Sequence, residues 1–396
     1  MNEPVRVGFY VPHGTIQFST EVWLSYLLCC LKSSPARDIE RVLVCDNSPR
    51  SELRQLHDDV FMDVEPRWTA GRLMQEICSA LGAKNASRRW RKRGRELRLS
   101  RRIDVLLGMP LRDPYTRIRT LSWLSDFQHM HFPSFFSAAE CRDRNEAFRE
   151  VARHATRLVV MSQSVLADLE AFDGAAAKKA RVVPIVAAPA PELCREDPRK
   201  TAEQYGLPAK FVYIPNQFWQ HKNHLAAIEA IKLLRDGGCP VFAVFSGKME
   251  DYRNPAHVPA VLARVESLGI KDRVRFLSVI PREHVIALTR RSIGIVNPSL
   301  FEGYGLSVDE ARSFGKPVLA SDIRPHREQS YRRADYFDPR NSHDMAEKLA
   351  KLWQAGEPGP DLDAEASAAA ELPLRQQQCA AIFGQIVREV LESDIG

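Results

Sequence analysis

At 396 residues, 44% of them hydrophobic, the chain is long enough for two domains that each bury a core, which excludes a small scaffold held together by disulfides or metal. Its eight cysteines (positions 29, 30, 45, 78, 141, 194, 239 and 379) include no CxxC pair, so neither a zinc site nor a disulfide framework is suggested and reduced, buried thiols are expected. The formal net charge of +6 is local in origin: the run RRWRKRGRELRLSRR at 88–102 carries +8, and the remainder sums to −2.

The polar start MNEPVRVGFYVP passes directly into a strand-like run, and the most apolar early segment, VWLSYLLCCL, is far shorter than a membrane span. The sequence therefore predicts a cytosolic protein without an integral anchor. Residues 5–12 read as a buried strand, followed by a turn at HGT, an amphipathic helix from about Ser19 to Leu31, and a second strand in IERVLVCDN. The apolar runs IDVLLG (103–108), RTLSWLS (119–125) and TRLVVMS (156–162) then alternate with helical patterns such as SQSVLADLEAF, which implies a parallel sheet with crossover helices.

Three prolines and several charges at 187–200 mark a linker. The alternation restarts with the strand KFVYIPN (210–216), a helix ended by Gly237 and Gly238, the strand PVFAVFSG, and the further runs VRFLSV, IGIVNPS and PVLASD with helices between them. GEPGPDLDAEASAAAE reads as disordered and RQQQCAAIFGQIVREVL as a last helix, with no repeat of solenoid period. The fold expected is α/β: two doubly wound, Rossmann-like domains, 1–190 and 191–371, facing across a cleft, with 372–396 packing back on the first.

In open parallel sheets, ligands bind at the carboxyl ends of strands. NPSLFEGYGLSVDEARSFGKPVLASD (297–322) is such an end, with Glu302 and Glu310 eight positions apart across a glycine-punctuated turn. Gly303 and Gly305 permit close backbone approach to a ligand, and the helix-start amides near Leu306 favour a phosphate. Glu310, in the first turn, can accept two hydrogen bonds from a ribose diol, while Glu302 would approach whatever lies beyond the phosphates. Ser307-x-x-Glu310 also has the spacing of a capping box, in which Glu310 only closes the helix start.

The segment resembles the signature of the retaining, GT-B-fold nucleotide-sugar glycosyltransferases of the large fourth sequence family, the glycosyl transferases group 1: Pro-Ser, two residues, Glu-Gly-aromatic-Gly-Leu, a second Glu-Ala, and Gly-Lys-Pro-Val. The resemblance extends over 205–350 through YIPNQFWQHKNHLAAIEAI, FSG, VRFL and DYFDP, and into the first half through RLVVMSQSVLADL. It implies that Glu310 holds the ribose, that the amides of Gly305 and Leu306 hold the diphosphate with Gly303 and Tyr304 in the same loop, and that Glu302 lies beside the donor sugar. Lys222, at a strand-to-helix junction, would stabilise the charge developing on the leaving diphosphate. Relatives carry an arginine about six residues before that lysine, where this chain has Asn216 followed by Gln217. Ser246 and Gly247 end a strand at the same cleft as donor contacts, and Ser278 and Val279 stand where relatives usually have glycine. Gly14 in VPHGT corresponds to the family's glycine-rich loop. Many relatives have a histidine directly before the aspartate in SWLSDFQHMHFP; here Ser125 precedes Asp126, and His129 and His131 follow, making Asp126 and His129 the catalytic candidates at that strand end.

The chemistry implied is metal-independent, retaining transfer from a nucleoside-diphosphate sugar, a co-substrate rather than a cofactor, to a hydroxyl of a glycan or lipid-linked acceptor in surface polysaccharide or glycoconjugate assembly. A GT-B-shaped epimerase or phosphorylase, or a non-catalytic RNA-binding scaffold using the basic run, are the alternatives. For 88–102 the sequence offers a solvated surface or attraction to an anionic membrane from the cytoplasmic side, with nucleic acid not favoured.

Overall fold

The computed structural model describes residues 3–11, 18–33, 38–45, 56–62, 93–108 and 117–393. Gly14 with its HGT turn, and Arg88 to Lys92 of the basic run, lie outside these residues.

Two parallel sheets carry the chain. The first has the order β3-β2-β1-β4-β5-β6-β7, built from β1 (Val5–Val11), β2 (Ile39–Cys45), β3 (Asp59–Met62), β4 (Val105–Leu107), β5 (Arg119–Trp123), β6 (Arg157–Val160) and β7 (Ala180–Val182). The second runs β10-β9-β8-β11-β12-β13, from β8 (Val212–Ile214), β9 (Ala243–Phe245), β10 (Val274–Phe276), β11 (Ile295–Asn297), β12 (Val318–Ser321) and β13 (Ala334–Phe337). The central strands are largely apolar because helices cover both faces, so no strict polar alternation is needed. Leu43, Val105, Leu121, Ile295 and Ala320 are all fully buried. β3 and β7, of four and three residues, were not expected from the sequence.

In each sheet the chain moves outward in one direction and then returns to the other side of its first strand. That reversal falls between β1 and β4 in the first sheet and between β8 and β11 in the second. It opens a crevice at the carboxyl ends, where ligands bind in this class of sheet.

Two segments differ from the sequence reading. The stretch read as a linker, 187–200, starts inside the protein: Ala187 and Ala188 are buried, and Ala187 belongs to the first domain's core. Nor is 356–371 disordered, since one helix runs from Leu362 to Leu391 with Pro373 inside it. Asp361 caps it by accepting from the Ala364 amide at 3.0 Å, which satisfies an otherwise orphaned donor. The alanines that looked featureless are good helix formers. The early turns of this helix pair with the second domain through Arg290 and Glu365 at 2.9 Å. The later turns bury Cys379, Ala380, Phe383, Ile386 and Val390 in the first domain's core, where Phe383 stacks on Phe9. The helix thus ties the two domains together.

Ser278 has φ of 55°, in the left-handed region that disfavours side chains and suits the glycine expected there. Its carbonyl accepts the Gly247 amide at 2.8 Å, which fixes the β10 loop against the β9 loop. Among the described residues no helix is long and apolar enough to cross a membrane.

Candidate active site

The site is built from the reversal between β8 and β11. Asn216, just past β8, and Asn297, the last residue of β11, meet there, with Nδ2 of the first 3.4 Å from Oδ1 of the second. From Asn216 the chain runs through the 3-10 turn Gln220–Lys222 to Asn223, whose left-handed φ of 57° an asparagine tolerates. The Asn223 side-chain Nδ2 donates to the carbonyls of Pro298 at 3.0 Å and Pro339 at 2.9 Å. The turn bearing Lys222 is therefore locked to the loop bearing Glu302.

Lys222 Nζ lies 2.7 Å from Glu302 Oε1, with side chains 17% and 11% exposed. The same oxygen accepts from Ser299 Oγ at 2.7 Å and Asn297 Nδ2 at 3.3 Å. Among the described residues, the hydrogen bonds to this carboxylate all land on Oε1. Burial works against the charged form of Glu302, but the Lys222 charge and these hydrogen bonds hold its carboxyl below the usual range. The site therefore holds an ionised carboxylate beside Lys222 at a fixed position.

Glu310 occupies the helix Leu306–Arg312, whose cap is Gly305 at φ 94° with no side-chain cap bond. The capping-box reading fails, because Ser307 Oγ instead accepts from Asn297 and the Glu310 carboxylate turns to Arg282 and Tyr26. A Cβ on Gly305 would stand 2.9 Å from Nε2 of His326, a fully buried side chain whose Nδ1 bonds the Ser321 carbonyl at 2.9 Å. A carbonyl only accepts, so Nδ1 carries the hydrogen and Nε2 the lone pair. Burial lowers the pKa of this imidazole, which keeps it neutral.

The first domain closes the other side. Ser162 Oγ donates to the Gly303 carbonyl at 2.8 Å, and the Gln163 amide donates to Glu328 at 2.7 Å. Arg253, paired with Asp251, reaches across to Gln128 Oε1 at 2.7 Å and stacks between Trp219 and Phe136.

Residues 198–370 match the family model described as Glycosyl transferases group 1. Over those residues the chain is similar to the group 1 glycosyl transferases, and its fold is GT-B. Sixty-four residues are 38% identical to D-inositol 3-phosphate glycosyltransferase of Nocardia farcinica (strain IFM 10152), covering 16% of this chain and 14% of that protein. The chain thus matches about a seventh of the length of such curated relatives. Among solved structures, Anabaena Alr3699/HepE in complex with UDP and glucose superposes with a TM-score of 0.63 at 16% identity, over 98% of this chain and 99% of that one. Sucrose-phosphate synthase from Thermosynechococcus elongatus gives 0.61 at 14% identity, over 98% and 100%. At these identities the likeness is one of fold.

Within this GT-B frame several expected contacts take other roles. His129 does not face the cleft: its Nε2 bonds Asn145 Oδ1 at 2.8 Å, and its ring sits among Phe127, Phe136 and Phe148. Burial lowers its pKa. His131 instead packs on Phe301, the residue before Glu302, and bonds Asp168 at 2.8 Å. Asp126 accepts from the Gln128 amide at 3.0 Å and from Arg144 at 3.4 Å, and its Cβ lies against Gly303. Gly303 is tight against the first domain, since a Cβ there would stand 2.7 Å from the Ser125 carbonyl oxygen. Tyr304 packs into the first domain, its hydroxyl donating to the Ile185 carbonyl at 2.7 Å, and Leu306 packs on the same core. Asp309, between the two candidate glutamates, is also structural, accepting from the Ala187 amide and Arg375.

Ser246 Oγ meets the Tyr213 hydroxyl, and Gly247 lies so close to the Asn216 carbonyl that a Cβ would come within 2.4 Å. The glycine lets the β8 and β9 loops touch. Sequence reasoning missed Tyr26, Arg282, His326, Asn297 and Ser299 as site residues. Asn297 and Ser299 lay inside the quoted motif, whereas Tyr26 and Arg282 are brought to Glu310 only by tertiary packing. Among the described residues no group of three or more His, Cys, Asp or Glu is placed to hold a metal ion.

Proposed function

We propose that the chain is a retaining glycosyltransferase that moves a sugar from a nucleoside-diphosphate donor to a hydroxyl of a glycan or lipid-linked acceptor. The observation that carries this reading is Glu302: three donors, Lys222 among them, fix one of its oxygens at the strand ends of the second sheet. The ammonium has three hydrogens and spends one on Glu302, so it can also bind the diphosphate as negative charge develops there. In the reaction the bond from the anomeric carbon to the diphosphate breaks and a bond to the acceptor oxygen forms on the same face. The acceptor proton passes to the departing phosphate oxygen, and the Glu302 carboxylate stabilises the positive charge at the reacting carbon. Glu310 is assigned to the ribose, and the orphan amides of the helix start to the diphosphate.

Thermal melting against a panel of nucleotide sugars tests this reading, since a ligand at ~100 times its dissociation constant adds about 2.7 kcal/mol to stability. One base and sugar combination should raise the melting temperature and be turned over in excess chelator. A panel without a single shift, or turnover that stops with chelator and returns with Mg²⁺, would contradict it. An epimerase or phosphorylase would be recognised by its products.

On the same reading the acceptor is reached at an anionic membrane. Residues 93–99 are helical, with Leu99 buried in the first domain while Arg93 and Leu97 remain exposed. Basic residues at such a surface contribute about 1 kcal/mol each. Replacing Arg93, Arg98 and Arg101 by Ser should reduce sedimentation with anionic liposomes at low salt. Equal sedimentation of both proteins would remove the membrane from the proposal.

A further inference from the structure

The contact at Glu310 has a chemistry of its own. Tyr26, on the first-domain helix Phe18–Ser33, donates its hydroxyl hydrogen to Glu310 Oε1 at 2.7 Å and accepts from Arg282 Nη2 at 2.8 Å. Arg282 also donates to both Glu310 oxygens. One hydroxyl therefore sits between a carboxylate and a guanidinium, its hydrogen given to one and its lone pair to the other. The bond directions are fixed. Burial and the Glu310 charge push the Tyr26 phenol well above its ordinary pKa, so it stays protonated. Burial opposes the charge of Arg282, but Glu310 outweighs it and holds the guanidinium above its ordinary value. All three side chains are enclosed, with Tyr26 4% exposed and the Arg282 and Glu310 side chains 15% and 16%.

A ribose hydroxyl offers the same hydrogen and the same lone pairs. A carboxylate alone can take the hydrogens of a diol but leaves its oxygens without donors, and in an enclosed site that omission is costly. Arg282 is placed to supply them. It opens the helix Arg282–Arg291 just after the β10 loop that contains Ser278. Its charge and that of Glu310 both act on Tyr213, whose hydroxyl meets Ser246 at the end of β9.

We infer that Arg282 is the second arm of the ribose site, donating to the diol oxygens while Glu310 accepts the diol hydrogens, and that the Tyr26 hydroxyl here occupies the seat of one ribose hydroxyl. The inference rests on the proposed assignment of Glu310 to a nucleotide ribose. It adds a competition: a ribonucleotide must displace Tyr26, and with it shift the helix Phe18–Ser33 relative to the second domain.

The test is calorimetry with UDP, GDP and ADP and their 2′-deoxy and 3′-deoxy counterparts, on wild type, Arg282→Gln, Arg282→Lys, Tyr26→Phe and Glu310→Gln. Wild type should prefer the ribonucleotide over at least one deoxy form by ~10-fold or more, as a site built to bond a hydroxyl rejects the analogue without it. Arg282→Gln should reduce that preference to within about 2-fold. Tyr26→Phe, which removes the competitor and keeps both charges, should bind the ribonucleotide several-fold tighter. Should Arg282→Gln unfold, Arg282→Lys keeps the charge but loses the planar fork, and should likewise weaken the preference. Full discrimination by the folded Arg282 variants, lost only in Glu310→Gln, would overturn the role of Arg282 and leave the ribose assignment standing. Unchanged or weaker binding by Tyr26→Phe would overturn the competition. If wild type binds no nucleotide, or binds ribo and deoxy forms alike, the ribose assignment itself falls and this inference with it.

Discussion

Lys222→Ala is expected to lower turnover by roughly 10²–10³-fold, comparable to removing one oxyanion donor from an acyl-transfer site. The side chain serves two anions. In the structure it pairs with Glu302 at 2.7 Å, and during transfer it would meet the charge growing on the leaving diphosphate. Asn216, where relatives carry an arginine, offers only a neutral amide already directed to Asn297, so a second cation is not supplied from that position. Removing Lys222 also leaves Glu302 enclosed with only Asn297 and Ser299 as donors. Breaking a buried pair costs up to about 3–5 kcal/mol, so the melting temperature should fall as well. Steady-state rates, binding of the free nucleoside diphosphate and a melting curve separate the two effects. Near-normal turnover would mean that the leaving group is stabilised elsewhere, around Asn216 and Gln217.

Gly303→Ala should cost about 10²-fold in turnover through geometry alone, the loss expected when reacting groups move by about 1 Å. The added methyl would stand 2.7 Å from the Ser125 carbonyl oxygen and 3.2 Å from Asp126 Cβ. Those atoms belong to the first domain, and backbone cannot step aside as a flexible side chain does. The domains must therefore separate, which also strains the Ser162 bond to the Gly303 carbonyl. Nucleoside diphosphate affinity should change only a few-fold, because Glu310 and the helix start lie on the second domain. A variant with normal turnover would show that closure at this point is not needed for the chemistry.

The two sheets were legible because most of their strands lie in apolar runs broken by turn residues, a pattern that local sequence carries. Glu302, Lys222 and Glu310 were legible for a related reason: each follows a strand end, and the fold brings strand ends together. His129 misled because position after a strand end does not give direction. Its ring turned into the Phe127, Phe136 and Phe148 pocket, where burial favours a neutral imidazole. Tyr304 misled in the same way, since an aromatic between two glycines could as well pack on the first domain as face a ligand. Tyr26 and Arg282 stand 256 positions apart, and no spacing rule joins them. The helix Leu362–Leu391 was half hidden because glycines and prolines precede it and a proline interrupts it.

The most direct test of the account is release of nucleoside diphosphate from the nucleotide sugar chosen by the melting panel, measured with wild type, Glu302→Gln and Glu310→Gln. The account predicts turnover by wild type, a turnover loss in Glu302→Gln with nucleoside diphosphate affinity nearly kept, and a loss of affinity in Glu310→Gln. Wild-type turnover that survives in Glu302→Gln, or affinity that survives in Glu310→Gln, would contradict it.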